Sequence, residues 1–379
     1  MSDEVWEVDI PSDLQFLGHK GSGTIDELGN LGFMENSWPA VKNAFDRIDG
    51  CEVDLQLSRD STLWVHHNHD VLNCDDSLVN FFDQTDLSID QISQCVYGGQ
   101  LIKLEALLNR IRKEDYLNKT LSLDLKVLYN PVTLETFGSE ENLARFVAKL
   151  LKEMISDEQI DILIEVSSLS QYTIFRSMLK NEIFLINYHP SSAFLEESKR
   201  NRIDLSLPLS ELPSSVNFKS RDEVQLWTIN QPDEMLKALK LKPDYIQSDN
   251  VTMMEFFKEI QSGSTLHRVR LDTFQVKMDS DREFHSLGVY DADDIRALAK
   301  ITLEVNTIPE ECVLVLEAVD TREKTVHWEG KNIKDSGPIY FFIDPEYLKY
   351  KKAKIIKLYL WNKEHKVVDL VLTSEKFVL

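Results

Sequence analysis

Residues 50–70 read GCEVDLQLSRDSTLWVHHNHD, two acids and three histidines among strand-forming residues. Successive side chains of a strand point to opposite faces, so Glu52 and Asp54 share one side. An unpaired buried carboxylate costs several kcal/mol, so a strand with two on one face needs compensation. A cationic partner such as Lys20, Lys126 or an arginine would supply it, and so would a divalent cation. This strand belongs to a fold that gathers polar strand ends into a site.

On either side of it, from residue 14 to about 250, short apolar strands alternate with helical patterns. The strands are LQFLGH, CEVDLQL, LSLDLKV, DILIEVS, IFLINY, IDLSL, VQLWTI and YIQSD. Apolar residues fall at helical spacing in ENLARFVAKLLKEMI (141–155) and PDEMLKALK (232–240). NSWPAVKNAFDRI starts a helix, with Asn36 or Ser37 as its cap and Pro39 in the first turn. Eight strand–helix units fit a TIM (β/α)8 barrel over residues 1–262. A doubly wound open sheet fits less well, because no Gly-rich dinucleotide turn follows the first strand.

Beyond residue 262 the texture changes. SGSTLHR reads as a linker, and CVLVLEAVD, KTVHWEG, IYFFID, KIIKLYLW and KVVDLVL read as alternating strands. Only DADDIRALAK (291–300) reads as helix. Residues 263–379 are therefore expected to form a smaller β-rich, sandwich-like accessory domain.

The chain carries 42 Lys and Arg against 64 Asp and Glu, a formal net charge of −22. Such a surface repels a phosphate backbone, so a nucleic-acid partner is not expected. A small anionic substrate is compatible with it, because a metal and a few cations reverse the sign locally. Cys51, Cys74, Cys95 and Cys312 show neither a CxxC pairing nor zinc-ligand spacing and read as small buried hydrophobes. No apolar run reaches the ~18 residues of a membrane span, and MSDEVWEVDIPSD has no signal-peptide pattern. The default expectation is cytoplasmic, with oligomeric state open.

In a barrel the active site lies at the C-terminal ends of the strands. His19-Lys20 ends the first strand, Glu52 and Asp54 lie on the second, and Asp124 and Lys126 on the third. The seventh ends in Trp227-Thr228 with Asn230 beyond. All-oxygen ligands without a nearby Cys favour magnesium or calcium over zinc. His19 precedes the Gly-rich turn KGSG, where backbone can approach a ligand. HHNHD offers His66, His67 and His69, among which local physics does not choose. Two histidines beside a metal suit general acid–base work.

GHKG, then ENSWPAVKNAF, then GCEVDLQLSRDSTLWVHHN, resembles the glycerophosphodiester phosphodiesterase family. That family has an HRG, a PENT-like segment, a G-x-x-x-E-x-D strand and a short turn leading to an HD. LSLDLKV is similar to its L-x-I-E-x-K strand, VQLWTIN to W-T-V-N, and DYIQSDN takes the place of its last strand and T-D-x-P. The resemblance covers about residues 14–250 and implies a TIM barrel that hydrolyses phosphodiesters at a metal site. Its catalytic histidines fall on His19 and, counting from the RDS turn, His67. Its metal carboxylates fall on Glu52, Asp54 and Asp124. Lys126 matches the lysine that faces the phosphate, Glu35 the acid of the PENT-like segment, and Trp227 part of the pocket wall.

Lys20 replaces the family's arginine, keeping charge but losing a planar fork. Asn68 replaces the Asp of the HD pair, and Asp124 replaces a Glu. In this last feature the chain is similar to the sphingomyelinase D toxins. The resemblance implies metal-dependent hydrolysis of glycerophosphodiesters, in lipid and glycerol metabolism, by His19 and His67. The cation (Mg²⁺ or Ca²⁺), Lys20 and Lys126 would neutralise the phosphate. Cleavage of a lipid headgroup is one alternative, and an inactive barrel used as a binding module is another.

Overall fold

A computed structural model describes residues 8–23, 33–155, 160–213, 216, 218, 223–264, 267–278, 283–291, 297–307, 312–333, 336–343, 348, 352–363 and 368–378. The chain divides into two compact units, one of them Pro11–Asn230 with Lys237–Glu255. The other includes Gln231–Leu236 and Phe256–Leu379.

The first unit is a closed barrel of eight parallel strands. These are β1 Gln15–Gly18, β2 Gly50–Leu57, β3 Thr120–Asp124, β4 Asp161–Val166, β5 Glu182–Ile186, β6 Leu205–Pro208, β7 Val224–Trp227 and β8 Tyr245–Ser248. Each pairs with the next, and β1 pairs with both β8 and β2, which closes the ring. All eight coincide with the apolar runs read from sequence. Helix α1, Trp38–Arg47, starts at Ser37, whose hydroxyl accepts from the Ala40 N–H, with a Pro in its first turn.

The barrel interior has two characters. Leu17, Leu163, Phe184 and Tyr245 form one buried cluster inside it. Another inward layer is polar. Glu165 accepts hydrogen bonds from Ser122 (2.7 Å), Ser206 (2.7 Å) and Gln247 (2.8 Å). Branched apolar residues usually fill such an interior, so this polar layer departs from the usual packing.

After β2 the chain makes a side structure. Short strands Leu63–Val65, Asp70–Leu72 and Leu78–Asn80 precede helix α2, Asp86–Val96. Trp64, Val71, Phe81, Ile89, Ile92 and Leu101 make its own small core. Two of the four cysteines are not the small buried hydrophobes expected. Cys74 and Cys95 are exposed and joined by a disulfide, with Cα atoms 5.7 Å apart, tying the hairpin tip to α2. Cys51 and Cys312 are free and buried.

The described residues of the second unit form eight strands. They are β9 His267–Met278, β10 Phe284–Asp291, β11 Ala297–Thr307, β12 Cys312–Val319, β13 Thr325–Asn332, β14 Gly337–Ile343, β15 Ile355–Asn362 and β16 Val368–Val378. They form two antiparallel four-stranded sheets, ordered β9-β16-β11-β14 and β10-β15-β12-β13. Residues of both sheets, among them Leu314, Leu358, Phe341 and Leu370, share one buried cluster, as in a sandwich. Where the helix expected over 291–300 is described, its ends are strand: Asp291 ends β10, and Ala297 onward pairs with β14 and β16. Residues 292–296 lie outside the described residues. Among the described residues no helix is long and apolar enough to cross a membrane.

The disulfide spans 21 residues, and closing a loop of that length contributes about 3 kcal/mol by the chain-entropy argument. Reduction, or the Cys74→Ser/Cys95→Ser double variant, should lower the melting temperature of the first unit by several degrees. Melting curves with and without reductant check this, and coincident curves would contradict it.

Candidate functional site

The closing of the sheet brings the C-terminal ends of β1, β2, β3 and β8 together. In register, Asp54 lies opposite Asp124, and Asp124 opposite Glu165. Glu52, Asp54 and Asp124 are buried and present carboxylate oxygens within 4.8 Å of one another. Each has other partners. The Lys20 N–H donates to Glu52 Oε2 (2.8 Å), and Lys126 Nζ donates to Asp124 Oδ2 (2.6 Å) and lies 3.5 Å from Asp54 Oδ1. Asn36 clamps Asp54: its Nδ2 donates to Oδ2 (2.7 Å) and its Oδ1 accepts the Asp54 N–H (2.9 Å).

The turn after β1 makes the first of these contacts possible. Lys20 has φ 53° and Gly21 φ 85°. A Cβ on Gly21 would lie 2.9 Å from the Ala40 and Val41 backbone, so only glycine lets the turn pack against α1. Lys20 Nζ reaches Glu35 Oε2 at 3.5 Å, which places both predicted residues beside the carboxylates.

One oxygen of each carboxylate, Glu52 Oε1, Asp54 Oδ1 and Asp124 Oδ1, is buried without a hydrogen-bond partner. Buried acceptors are almost always satisfied, so three clustered carboxylates that each keep such an oxygen fit a hard divalent cation. Electrostatics agree. Burial pushes the Glu52 carboxyl well up, and the charges of Asp54, Asp124 and Glu165 add to that. Burial also raises Asp124, to about 7; Lys126 opposes the rise, and Glu165 and Asp54 reinforce it. For Asp54 the burial cost is outweighed by Lys126, with help from His67, Lys20 and His19, and its carboxyl falls below the usual range.

His19 Nδ1 hydrogen-bonds Asp249 Oδ1 at 2.7 Å, and its Nε2 lies 3.9 Å from Glu52 Oε2. Burial raises the Asp249 carboxyl, but the hydrogen bond and charge of His19, with Asn230 and Lys20, bring it below its ordinary range. Asn230 Nδ2 donates to Asp249 Oδ2 (2.7 Å), and its Oδ1 accepts the Asp249 N–H (2.9 Å). His67 is half-buried, with Nδ1 3.0 Å from Asn68 Oδ1, and its charge acts on Asp54. His66 instead stacks on Phe81 (5.1 Å) and meets Tyr97, and burial lowers its pKa to about 4. Gln56 Nε2 lies 3.3 Å from His69 Nδ1. Trp227 donates through Nε1 to Ser206 (2.8 Å) and packs edge-on against the exposed Tyr188 (5.5 Å).

Asn36 and Asp249 were not assigned these contacts from sequence. Asn36 was read as a possible helix cap, and Ser37 takes that place instead. Asp249 lies in SDN, after the last barrel strand, in the segment matched to T-D-x-P.

No family model and no curated protein matches this sequence. Solved structures do match. An Oleispira antarctica phosphodiesterase, solved in complex with the product sn-glycerol-3-phosphate, aligns over 66% of this chain and 97% of its own, at TM-score 0.51 and 17% identity. A glycerophosphodiester phosphodiesterase from Thermotoga maritima aligns over 65% and 98%, at TM-score 0.49 and 19% identity. The Oleispira likeness establishes a shared barrel fold.

In the metal-free protein Asp124 and Glu52 bind their protons more tightly folded than unfolded. Their contribution to stability is thus present at low pH and shrinks as pH rises above the ordinary carboxylate range, for Asp124 through about 7. A cation held by the three carboxylates removes that loss. The rise in melting temperature on adding Mg²⁺ or Ca²⁺ should be larger near ~pH 8 than near ~pH 5. Equal shifts at both pH values, or none, would contradict the site.

Proposed function

We propose that the barrel is a divalent-cation-dependent phosphodiesterase that hydrolyses glycerophosphodiesters to glycerol 3-phosphate and an alcohol. The observation that supports this best is the set of three buried carboxylates, each with one oxygen that makes no hydrogen bond, beside His19 and Lys126. Glu52, Asp54 and Asp124 would hold a magnesium or calcium ion, which when bound supplies Lewis-acid neutralisation of the phosphate. Lys126, already poised between Asp54 and Asp124, adds a fixed positive charge for a phosphate oxygen.

With Nδ1–H donated to Asp249, His19 carries its lone pair on Nε2, on the side of Glu52. That nitrogen is suited to take the proton of the attacking hydroxyl, from water or from the substrate's own glycerol. Attack by the glycerol hydroxyl would give a cyclic phosphate first. His67, in its protonated form, would donate to the leaving oxygen. Asp249 is a positioning residue, and Asn230 holds it in turn. Lys20 and Glu35 would flank the phosphate, and Trp227 would wall the pocket.

A lipid headgroup is the second reading, supported by the short Asp124-x-Lys126 arrangement. The exposed Cys74–Cys95 bridge supports an oxidising compartment over the cytoplasm expected by default. Counting free thiols in denatured protein from its own cells should give two, and four would contradict that placement.

Turnover of glycerophosphocholine in Mg²⁺ or Ca²⁺, with glycerol 3-phosphate identified as product, tests the reading. Full activity in excess chelator would sink the metal mechanism. Turnover of sphingomyelin in preference to the soluble diester would shift it to the lipid headgroup, and turnover of neither would favour the inactive barrel. His19→Ala and His67→Ala should each lower kcat by roughly 10²–10⁴ while leaving metal binding nearly intact. The double variant should fall well short of the product of the two losses. His66→Ala should change kcat little, and a large loss at His66 with none at His67 would move the assignment. Asp124→Glu should be better tolerated than Asp124→Ala.

A further inference from the structure

The β10-β15-β12-β13 sheet has one face turned to the sandwich core, through Leu314, Leu316, Leu358 and Leu360. Its other face carries aromatic rings. Phe284 on β10 lies in register with Trp361 on β15, and Trp328 on β13 lies in register with Glu317 on β12. The Trp361 ring lies 6.0 Å from Phe284, within 17° of parallel, and 6.3 Å from Trp328, nearly perpendicular. Tyr359 packs edge-on against Phe284 at 5.8 Å. Phe284 and Trp328 are 52% and 46% exposed, an unusual state for rings this large.

These rings are fixed rather than loose. Trp361 Nε1 donates to Glu283 Oε1 (3.2 Å), and Trp328 hydrogen-bonds the Tyr359 hydroxyl. A Cβ at position 330 would collide with the Trp328 indole, so Gly330 is what lets that ring lie along the strand. The margin of the patch is polar. Lys363 Nζ sits over the Trp361 ring, 4.6 Å from its centroid, Glu283 holds that ring's indole N–H, and Glu317 accepts from Thr325.

We propose that this aromatic face is a carbohydrate-binding platform that stacks a neutral oligosaccharide on the exposed Trp328 indole, with Trp361 buttressing it edge-on. A pyranose ring has an apolar C–H face and a rim of hydroxyls. The Trp328 indole matches the face, and Glu283, Glu317 and Lys363 offer acceptors and a donor nearby. Two half-exposed rings and two less exposed ones present roughly 200–300 Å². That falls well short of the about 800 Å² per partner of a stable protein interface and fits a short saccharide. Carboxylates at the patch margin, on a chain of net charge −22, oppose an anionic bilayer. The platform does not depend on the barrel's chemistry.

The experiment titrates the full chain with cellohexaose, chitohexaose and xylohexaose, followed by tryptophan emission and calorimetry, with co-sedimentation on insoluble cellulose and chitin. Binding to at least one of these, with a change in tryptophan emission, is expected. Trp328→Ala and Trp361→Ala should each weaken it at least tenfold, Trp328→Phe should keep most of it, and Gly330→Ala should weaken it by displacing the indole. Diester turnover and the barrel's melting transition should not change. The wild-type titration needs no variant, so a variant that fails to fold leaves the test intact. Three results would overturn the proposal: no binding to any saccharide, binding indifferent to both Trp→Ala changes, or a Trp328-dependent response to phosphatidylcholine vesicles or in self-association instead.

Discussion

Three carboxylates converge at the end of one barrel, buried and within 4.8 Å of each other. Two like charges about 4 Å apart repel by on the order of 4 kcal/mol at an effective dielectric of 20. That repulsion organises the surrounding sequence. Asn36 spends both ends of its amide on Asp54, a backbone N–H from a left-handed turn goes to Glu52, and Lys126 lies between the two aspartates. These groups offset part of the charge and leave one oxygen of each acid without a hydrogen bond, Asp54 Oδ1 having only the Lys126 charge 3.5 Å away. A divalent cation is the species whose charge and donor preference match what remains.

The supporting layer is built by the same closure of the sheet. Glu165, next to Asp124 in register, is fully engaged by Ser122, Ser206 and Gln247 from three other strands. Ser206 also takes the Trp227 indole N–H, which links the buried layer to an aromatic residue at the barrel's rim. On the far side of the triad, Asn230 fixes Asp249, and Asp249 fixes His19. The orientation of the His19 ring is thereby set by two residues that follow β7 and β8.

The eight barrel strands were legible because each is a short apolar run bounded by turn residues. The inward acids were legible because strand alternation forces Glu52 and Asp54 to one side. Asp249 was harder, since its contact with His19 joins residues 230 apart and leaves no local spacing. Asn36 looked like a cap because Asn and Ser are both good caps, and only the fold decides that Ser37 fills the role. Cys74 and Cys95 lie in different elements, so no motif announced their bridge. In the second unit DADDIRALAK has helical spacing, but its last residues extend along β16, where pairing outweighs a weak local preference.

The most direct measurement is a crystal structure with glycerol 3-phosphate and a divalent ion bound. This account predicts one ion held by oxygens of Glu52, Asp54 and Asp124, with the phosphate beside it within reach of Lys126 and His19. An ion absent from those three carboxylates, or a phosphate bound away from them while the carboxylates stay unliganded, would contradict it.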